Sequence, residues 1–277
     1  MNSIRALMRR SPLVSFFGLA FILSWGVGAA IKGTPLLAPD GSFIAGVLIA
    51  ALIVAVLVDG WAGLGDLGRR LLRWRVAPGW YAVVLLLPVV TVATLAGLLQ
   101  LFDRTPLDWT KQPELAATAL LFVVLMVLPV AAPVSEEIGW RGYALPRLLA
   151  SRSALTASLV LGVIWSLWHL PVVLSDPVLR APVPFLLQVI PTSVIFTWIF
   201  LHTRGSVFIA LLFHAWFDVV LAYAGAMIAP SDYELMWWLL VAIQTGLAVV
   251  VLAIWGRNLV RRPSAGAEAR TTAAEAA

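Results

Sequence analysis

The sequence predicts an all-α, polytopic membrane protein: a bundle of about eight transmembrane helices with one or two amphipathic helices on the inner leaflet. Three observations carry that expectation. Hydrophobic residues fill 61% of the 277 positions and charged residues only 12%, about half the roughly 25% usual in soluble domains. The apolar residues fall in runs of about 18 or more, the length a helix needs to cross a bilayer. Lys and Arg alternate from one connection to the next, as the positive-inside rule requires.

The runs lie near 12–31, 43–60, 79–102, 115–135, 154–174, 183–202, 206–228 and 235–256. The first follows Arg5, Arg9 and Arg10, as a signal peptide would. Its apolar stretch of about 20 residues exceeds a typical h-region, so it reads as a retained helix. Arg69, Arg70, Arg73 and Arg75 follow the second run, and Arg141, Arg147 and Arg152 follow the fourth. Arg204 follows the sixth, and Arg257, Arg261, Arg262 and Arg270 follow the eighth. That places 15 of the 19 basic residues on one face, against Lys32, Arg104, Lys111 and Arg180 on the other. The second face carries Asp40, Asp103, Asp108, Glu114, Asp176, Asp232 and Glu234 instead. Both termini are therefore expected in the cytoplasm.

Two stretches are too polar to span. Residues 61–78 mix Gly, Arg, Leu and Trp and suit a helix lying on the inner leaflet, and residues 142–152 look similar. Residues 1–262 read as one transmembrane domain, with its motif region at 115–228; residues 263–277 have no apolar face and read as a disordered cytoplasmic tail. The 13 tryptophans suit interfacial positions. With no cysteine, disulfides, thiolate catalysis and zinc–sulfur sites are excluded. That absence, with the Ala, Leu, Val and Arg bias, suggests a bacterial plasma membrane. The net charge of +5 does not imply nucleic acid, because the basic residues sit at helix ends. The partners expected are the lipid bilayer and a membrane-associated peptide or protein.

Five ionisable residues stand out against this background: Glu136, Glu137, His169, His214 and Asp218. An aspartate at the centre of a membrane helix costs about 2.5–3.5 kcal/mol on insertion scales, so such groups usually face a cavity and carry function. Singly, each has a bland explanation: interfacial charge for the glutamates, an interhelical hydrogen bond for each histidine. The set is harder to explain that way. In a helix, Glu137 and Arg141 stand at i and i+4 in the favoured order, while Glu136 points about 100° away. Glu137 is thus committed to Arg141 and Glu136 is free for chemistry. Trp165 shares a helical face with His169, and His214 shares one with Asp218. His202, in a short inner turn, is expected to have no chemical role.

Two mechanisms suit these residues. In one, Glu136 is a general base that activates water with His169, while His214 and Asp218 stabilise an oxyanion. In the other, His169, His214, Asp218 and Glu136 supply ligands to a zinc ion that acidifies its water. Glu136 belongs near the inner end of the fourth run, whereas His169 lies about 22 Å past Ala154 at 1.5 Å per residue. For the two to meet, Pro129 and Pro133 are expected to bend the fourth helix.

The motifs Glu136-Glu137-x-x-x-Arg141, Trp165-x-x-x-His169 and His214-x-x-x-Asp218 resemble those of the CPBP intramembrane proteases, a family that includes the CAAX prenyl endopeptidases and bacterial Abi relatives. The family pattern is Glu-Glu-x-x-x-Arg, Phe-x-x-x-His and His-x-x-x-Asn or Asp, usually on an eight-helix bundle. The resemblance implies hydrolysis of a peptide bond in or near the membrane. On that pattern Glu136 and His169 activate water, His214 and Asp218 hold the oxyanion, and Glu137, Arg141 and Trp165 support them. Trp165 replaces the usual Phe, and Asp218 stands where many members carry Asn. Two other classes fit the same residues less well: a proton- or cation-coupled transporter, and a catalytically silent membrane chaperone or immunity protein. The first lacks an inverted repeat, and the complete motif set argues against the second.

Overall fold

Proline opens several of the helices, where its missing N–H costs nothing and its fixed φ suits the first turn. A computed structural model describes residues 2–27, 30, 44–102, 104, 107–128, 131–175 and 181–260. Among them helices dominate and no strand occurs. The chain runs through α1 (Asn2–Arg10), then α2 (Pro12–Phe21) continued by a π-helix at Ile22–Val27, α3 (Gly46–Asp59), α4 (Trp61–Leu71) and α5 (Pro78–Leu101). There follow α6 (Leu115–Val127), then α7 (Ala132–Glu137) continued by a π-helix at Ile138–Ala144, and α8 (Leu145–Leu149). The remainder is α9 (Ala154–Trp168), α10 (Leu170–Ser175), α11 (Pro182–His202), α12 (Val207–Met227) and α13 (Tyr233–Trp255).

Five helical stretches among the described residues are long and apolar enough to cross a membrane: Pro78–Leu101, Leu115–Leu149, Pro182–His202, Val207–Met227 and Pro230–Trp255. Pro12–Val27, Gly46–Asp59 and Ala154–Trp168 are shorter apolar helices. Together they occupy the eight apolar runs of the sequence. Helix α11 packs against both α9 and α13, α12 packs against α5 and α6, and α2 packs on α3. Where α9 meets α11, a Cβ on Gly162 would come within 3.0 Å of Ile190 Cα and of Ser193 Cβ. Only glycine lets these backbones approach so closely, as at other small-residue membrane interfaces.

The arginines gather at one end of the bundle. Arg73 donates to the Arg204 carbonyl, Arg204 Nη2 donates to the Arg75 carbonyl at 2.5 Å, and Ser206 Oγ donates to the Arg73 carbonyl at 2.5 Å. Arg147 pairs with Asp59, and the amide of Leu155 donates to the Arg257 carbonyl at 2.9 Å. At the opposite end the amide of Asp108 donates to the Met227 carbonyl at 2.8 Å, and Arg104 lies 3.7 Å from Asp232. The described basic residues therefore follow the alternation read from the sequence. Lys32, Asp40, Asp103, Asp176, Arg180, Arg261, Arg262, Arg270 and the tail 263–277 lie outside the described residues.

Several local expectations need correction. The amphipathic helix expected over 61–78 stops at Leu71, and residues 73–77 are irregular. Their carbonyls bond the turn at 204–206, and Pro78 starts the next span. Within α4, Asp66 pairs with Arg70 at 2.7 Å and Arg69 at 3.3 Å. Partial burial pushes that carboxyl up, but the Arg70 hydrogen bond and the charges of Arg70 and Arg69 outweigh it and hold the group below the usual carboxylate range. The second expected surface helix, 142–152, is largely interior. Tyr143, Ala144 and Leu145 are fully buried in the main core, with Leu148 beside them. Their alternation of Arg and apolar residues looked interfacial, but α3, α4, α9 and α12 pack against this stretch.

The fourth run is broken rather than bent. Helix α6 ends at Val127, Leu128 is extended, and α7 starts with Pro133 in its first turn. Pro133 thus starts a new helix instead of kinking an old one, which is its least costly position. Pro129 lies outside the described residues. The fifth run is also interrupted: α9 ends at Trp168, and His169 is its C-cap rather than a mid-helix residue. Pro171 follows in the first turn of α10.

Candidate active site

The two breaks position the site. Because α7 restarts inside the bundle, Glu136 and Glu137 are carried on a short helix that is buried along its length. Ser135 locks this helix to α3: its hydroxyl donates to the Ile44 carbonyl at 2.7 Å and accepts from the Leu48 amide at 3.1 Å. Beyond Glu137 the chain winds as a π-helix, a form often found at functional positions. Gly139 permits it to lie on α2 and α3, because a Cβ there would clash with Val47 and Phe16.

Glu137 is the hub. One of its oxygens, Oε1, accepts from Arg141 Nη1 at 2.9 Å and from His214 Nδ1 at 2.8 Å. Glu137 and Arg141 are both fully buried. The Arg141 guanidinium carbon lies 4.1 Å from the centroid of the Trp165 ring and 4.0 Å from that of Phe196. A buried cation is held here by one carboxylate and two aromatic faces. The imidazole of His214 turns its other nitrogen, Nε2, towards Asp218 Oδ2 at 3.6 Å. That separation is longer than a normal hydrogen bond and leaves an electrostatic contact.

Trp165 connects the other half of the site. Its indole N–H donates to Glu136 Oε2 in a short hydrogen bond, and its carbonyl lies 2.8 Å from His169 Nδ1. A carbonyl can only accept, so His169 carries its proton on Nδ1 and presents Nε2 as the basic nitrogen. The His169 ring is walled by Trp168, Phe185 and Trp165, with centroids 5.1, 5.5 and 5.8 Å away.

These groups border a cavity of about 490 Å³. His169, His214 and Asp218 line it, with Trp165, Phe196, Gln188 and Thr192. Glu136 is not on that wall and lies behind the Trp165 indole to which it is bonded. The fold therefore brings Glu136, Glu137, Arg141, Trp165, His169, His214 and Asp218 into one neighbourhood. The grouping differs from the sequence reading. Glu137 is not devoted to Arg141 alone, and His214 is bonded to Glu137 instead of forming a clamp with Asp218 only. Among the described residues no three His, Asp or Glu side chains converge as a metal site. The four donors considered for zinc do not form a ready cage.

Some members of the site went unread in the sequence. Gln188 and Thr192, an i,i+4 polar pair inside an apolar run, carried a legible signal: the Thr192 hydroxyl lies 3.1 Å from the Gln188 side-chain oxygen, and both line the cavity. Ser135 and Phe196 carried none, because their roles depend on which helices meet.

Comparison with known proteins returns the same segment. Residues 117–220 match the family described as type II CAAX prenyl endopeptidase Rce1-like. A CAAX prenyl protease 2 from Methanococcus maripaludis is 34% identical over 102 residues, covering 34% of this chain. The match spans only 38% of that relative's own length.

Proposed function

We propose, from the match of residues 117–220 to the type II CAAX prenyl endopeptidase Rce1-like family, that this chain is an intramembrane endopeptidase. Its substrate is a membrane-associated peptide or protein, and it works in a plasma membrane with both termini in the cytoplasm. The observation that carries the reading is the double use of Trp165. Its indole holds Glu136 and its carbonyl holds His169, so one residue sets both groups of the water-activating pair.

In this mechanism a water entering the cavity replaces the indole as partner of Glu136. Glu136 takes the water proton while His169 Nε2 orients the attacking oxygen. That oxygen adds to the scissile carbonyl carbon, and His214, protonated on both nitrogens, donates to Glu137 from Nδ1 and to the resulting oxyanion from the Nε2 that faces Asp218. The C–N bond then breaks as Glu136 returns its proton to the leaving amine. Glu137 and Arg141 hold His214 in place behind the reacting groups. The family resemblance, the buried carboxylate and the histidine-lined cavity all support this order of events.

The test is cleavage of a membrane-anchored reporter by purified protein in proteoliposomes. Glu136→Gln and His169→Ala should each lose about 10²–10⁴-fold in rate, the usual contribution of a general base. If both variants cleave at the wild-type rate, the assignment is wrong.

A further inference from the structure

The cavity has a direction. Along α12 its lining runs from His214 to Ala226, 12 residues or about 18 Å at 1.5 Å per residue. From α13 it takes Tyr233, Met236 and Trp237, all in the first turns. These belong to the end where Asp108 bonds Met227 and Arg104 meets Asp232, opposite the arginine cluster.

Towards the arginine-rich end the site is closed. Phe196 lines the cavity there, and Arg141, Ile199, Val207 and Phe213 around it are, like Phe196, each 0–1% exposed. At the other end Ala222 and Ala226 are exposed, and Asp218 has 38% of its side chain exposed. The lining between carries polar side chains from two helices, Gln188 and Thr192 on α11 and Asp218 on α12. Ala222 and Ala226 thus mark the exposed stretch of the cavity lining on α12, about 12–18 Å along the helix from His214.

We infer that the site receives its substrate from the outer side of the membrane, so that it cuts an extracytoplasmic or outer-half segment of a membrane protein rather than a cytoplasmic C-terminus. The inference rests on the protease reading above and on the arginine-rich end facing the cytoplasm, as its charge requires. Tyr233 lines the opposite end of the cavity beside the largely buried Trp237, which packs on Phe185.

A chain with no cysteine permits a clean test in intact cells. Single variants Ala226→Cys, Ala222→Cys and Arg152→Cys are exposed to a membrane-impermeant maleimide before and after permeabilisation. Label is expected on Ala226→Cys and Ala222→Cys in intact cells, and on Arg152→Cys only after permeabilisation. Label at Ala226→Cys only after permeabilisation overturns the inference, and so does no label there under either condition. A second measurement offers a reporter with a single spanning helix, its cleavable segment placed at either the outer or the inner boundary. Cleavage of the outer version is expected; cleavage confined to the inner version overturns the inference and leaves the protease reading standing. If His214→Ala cleaves at the wild-type rate while labelling is as expected, the protease reading itself fails and takes the substrate assignment with it.

Discussion

Glu137 and His214, 77 positions apart, meet through a 2.8 Å contact between Oε1 and Nδ1. The same oxygen holds Arg141 at 2.9 Å. A residue that looked like half of a local ion pair is thus the joint between the glutamate motif and α12. The orientation of the imidazole follows from this joint, because one carboxylate oxygen holds both the His214 ring and the Arg141 guanidinium.

Removing one member should therefore cost more than removing two. Arg141→Ala leaves Glu137 buried with less compensation and is expected to destabilise the fold by about 3–5 kcal/mol, as broken buried pairs do. The double variant Glu137→Gln with Arg141→Met should recover part of that loss. Thermal unfolding in detergent measures both, and a double variant less stable than Arg141→Ala alone would refute the coupling.

Trp165 separates packing from hydrogen bonding. Trp165→Phe keeps the aromatic face over Arg141 and the carbonyl on His169 but removes the donor to Glu136. Activity is expected to fall by at most about 10–150-fold, since one lost hydrogen bond to a charged group is worth about 1.5–3 kcal/mol at most and water replaces part of it. Trp165→Ala should lose far more, through the wall and the cation–π contact. Equal losses in the two variants, measured as reporter cleavage at matched folded protein, would count against this account.

Gly162 tests the contact that carries the fifth apolar run past the sixth. Gly162→Leu has no room against Ile190 and Ser193 and should cost at least about 1–3 kcal/mol by overpacking. Lower folded yield and a lower unfolding temperature are expected. A variant as stable as the parent would mean that α9 and α11 are not packed as described.

The arrangement of donors bears on metal dependence. Because no three of them converge among the described residues, cleavage is expected to survive dialysis against a chelator, with less than one zinc per chain by elemental analysis. Stoichiometric zinc whose removal abolishes cleavage would overturn the general-base scheme. In the same assay Asp218→Asn should retain activity, since the side chain stands 3.6 Å from His214 without a normal hydrogen bond.

Much of this protein was legible along the chain. Apolar run length located the eight apolar helical stretches, five of them long enough to cross a membrane, because a bilayer sets a length that composition must meet. Arginine spacing gave the two ends of the bundle, because charge is confined to connections. Helical phase grouped Glu137 with Arg141, Trp165 with His169 and His214 with Asp218, since residues four apart share a face. The surface reading of 142–152 failed for the converse reason: periodicity reports an apolar face but not what covers it.

Sequence alone determined the membrane setting, the order of the helices and the ionisable residues that stand out within them, because those depend on local length, charge and spacing. Tertiary structure decided where the fourth run breaks, that His169 ends its helix, and that Glu137 joins Arg141 to His214. Each of these depends on contacts between helices far apart in the chain, and no local pattern encodes a partner that only folding brings near.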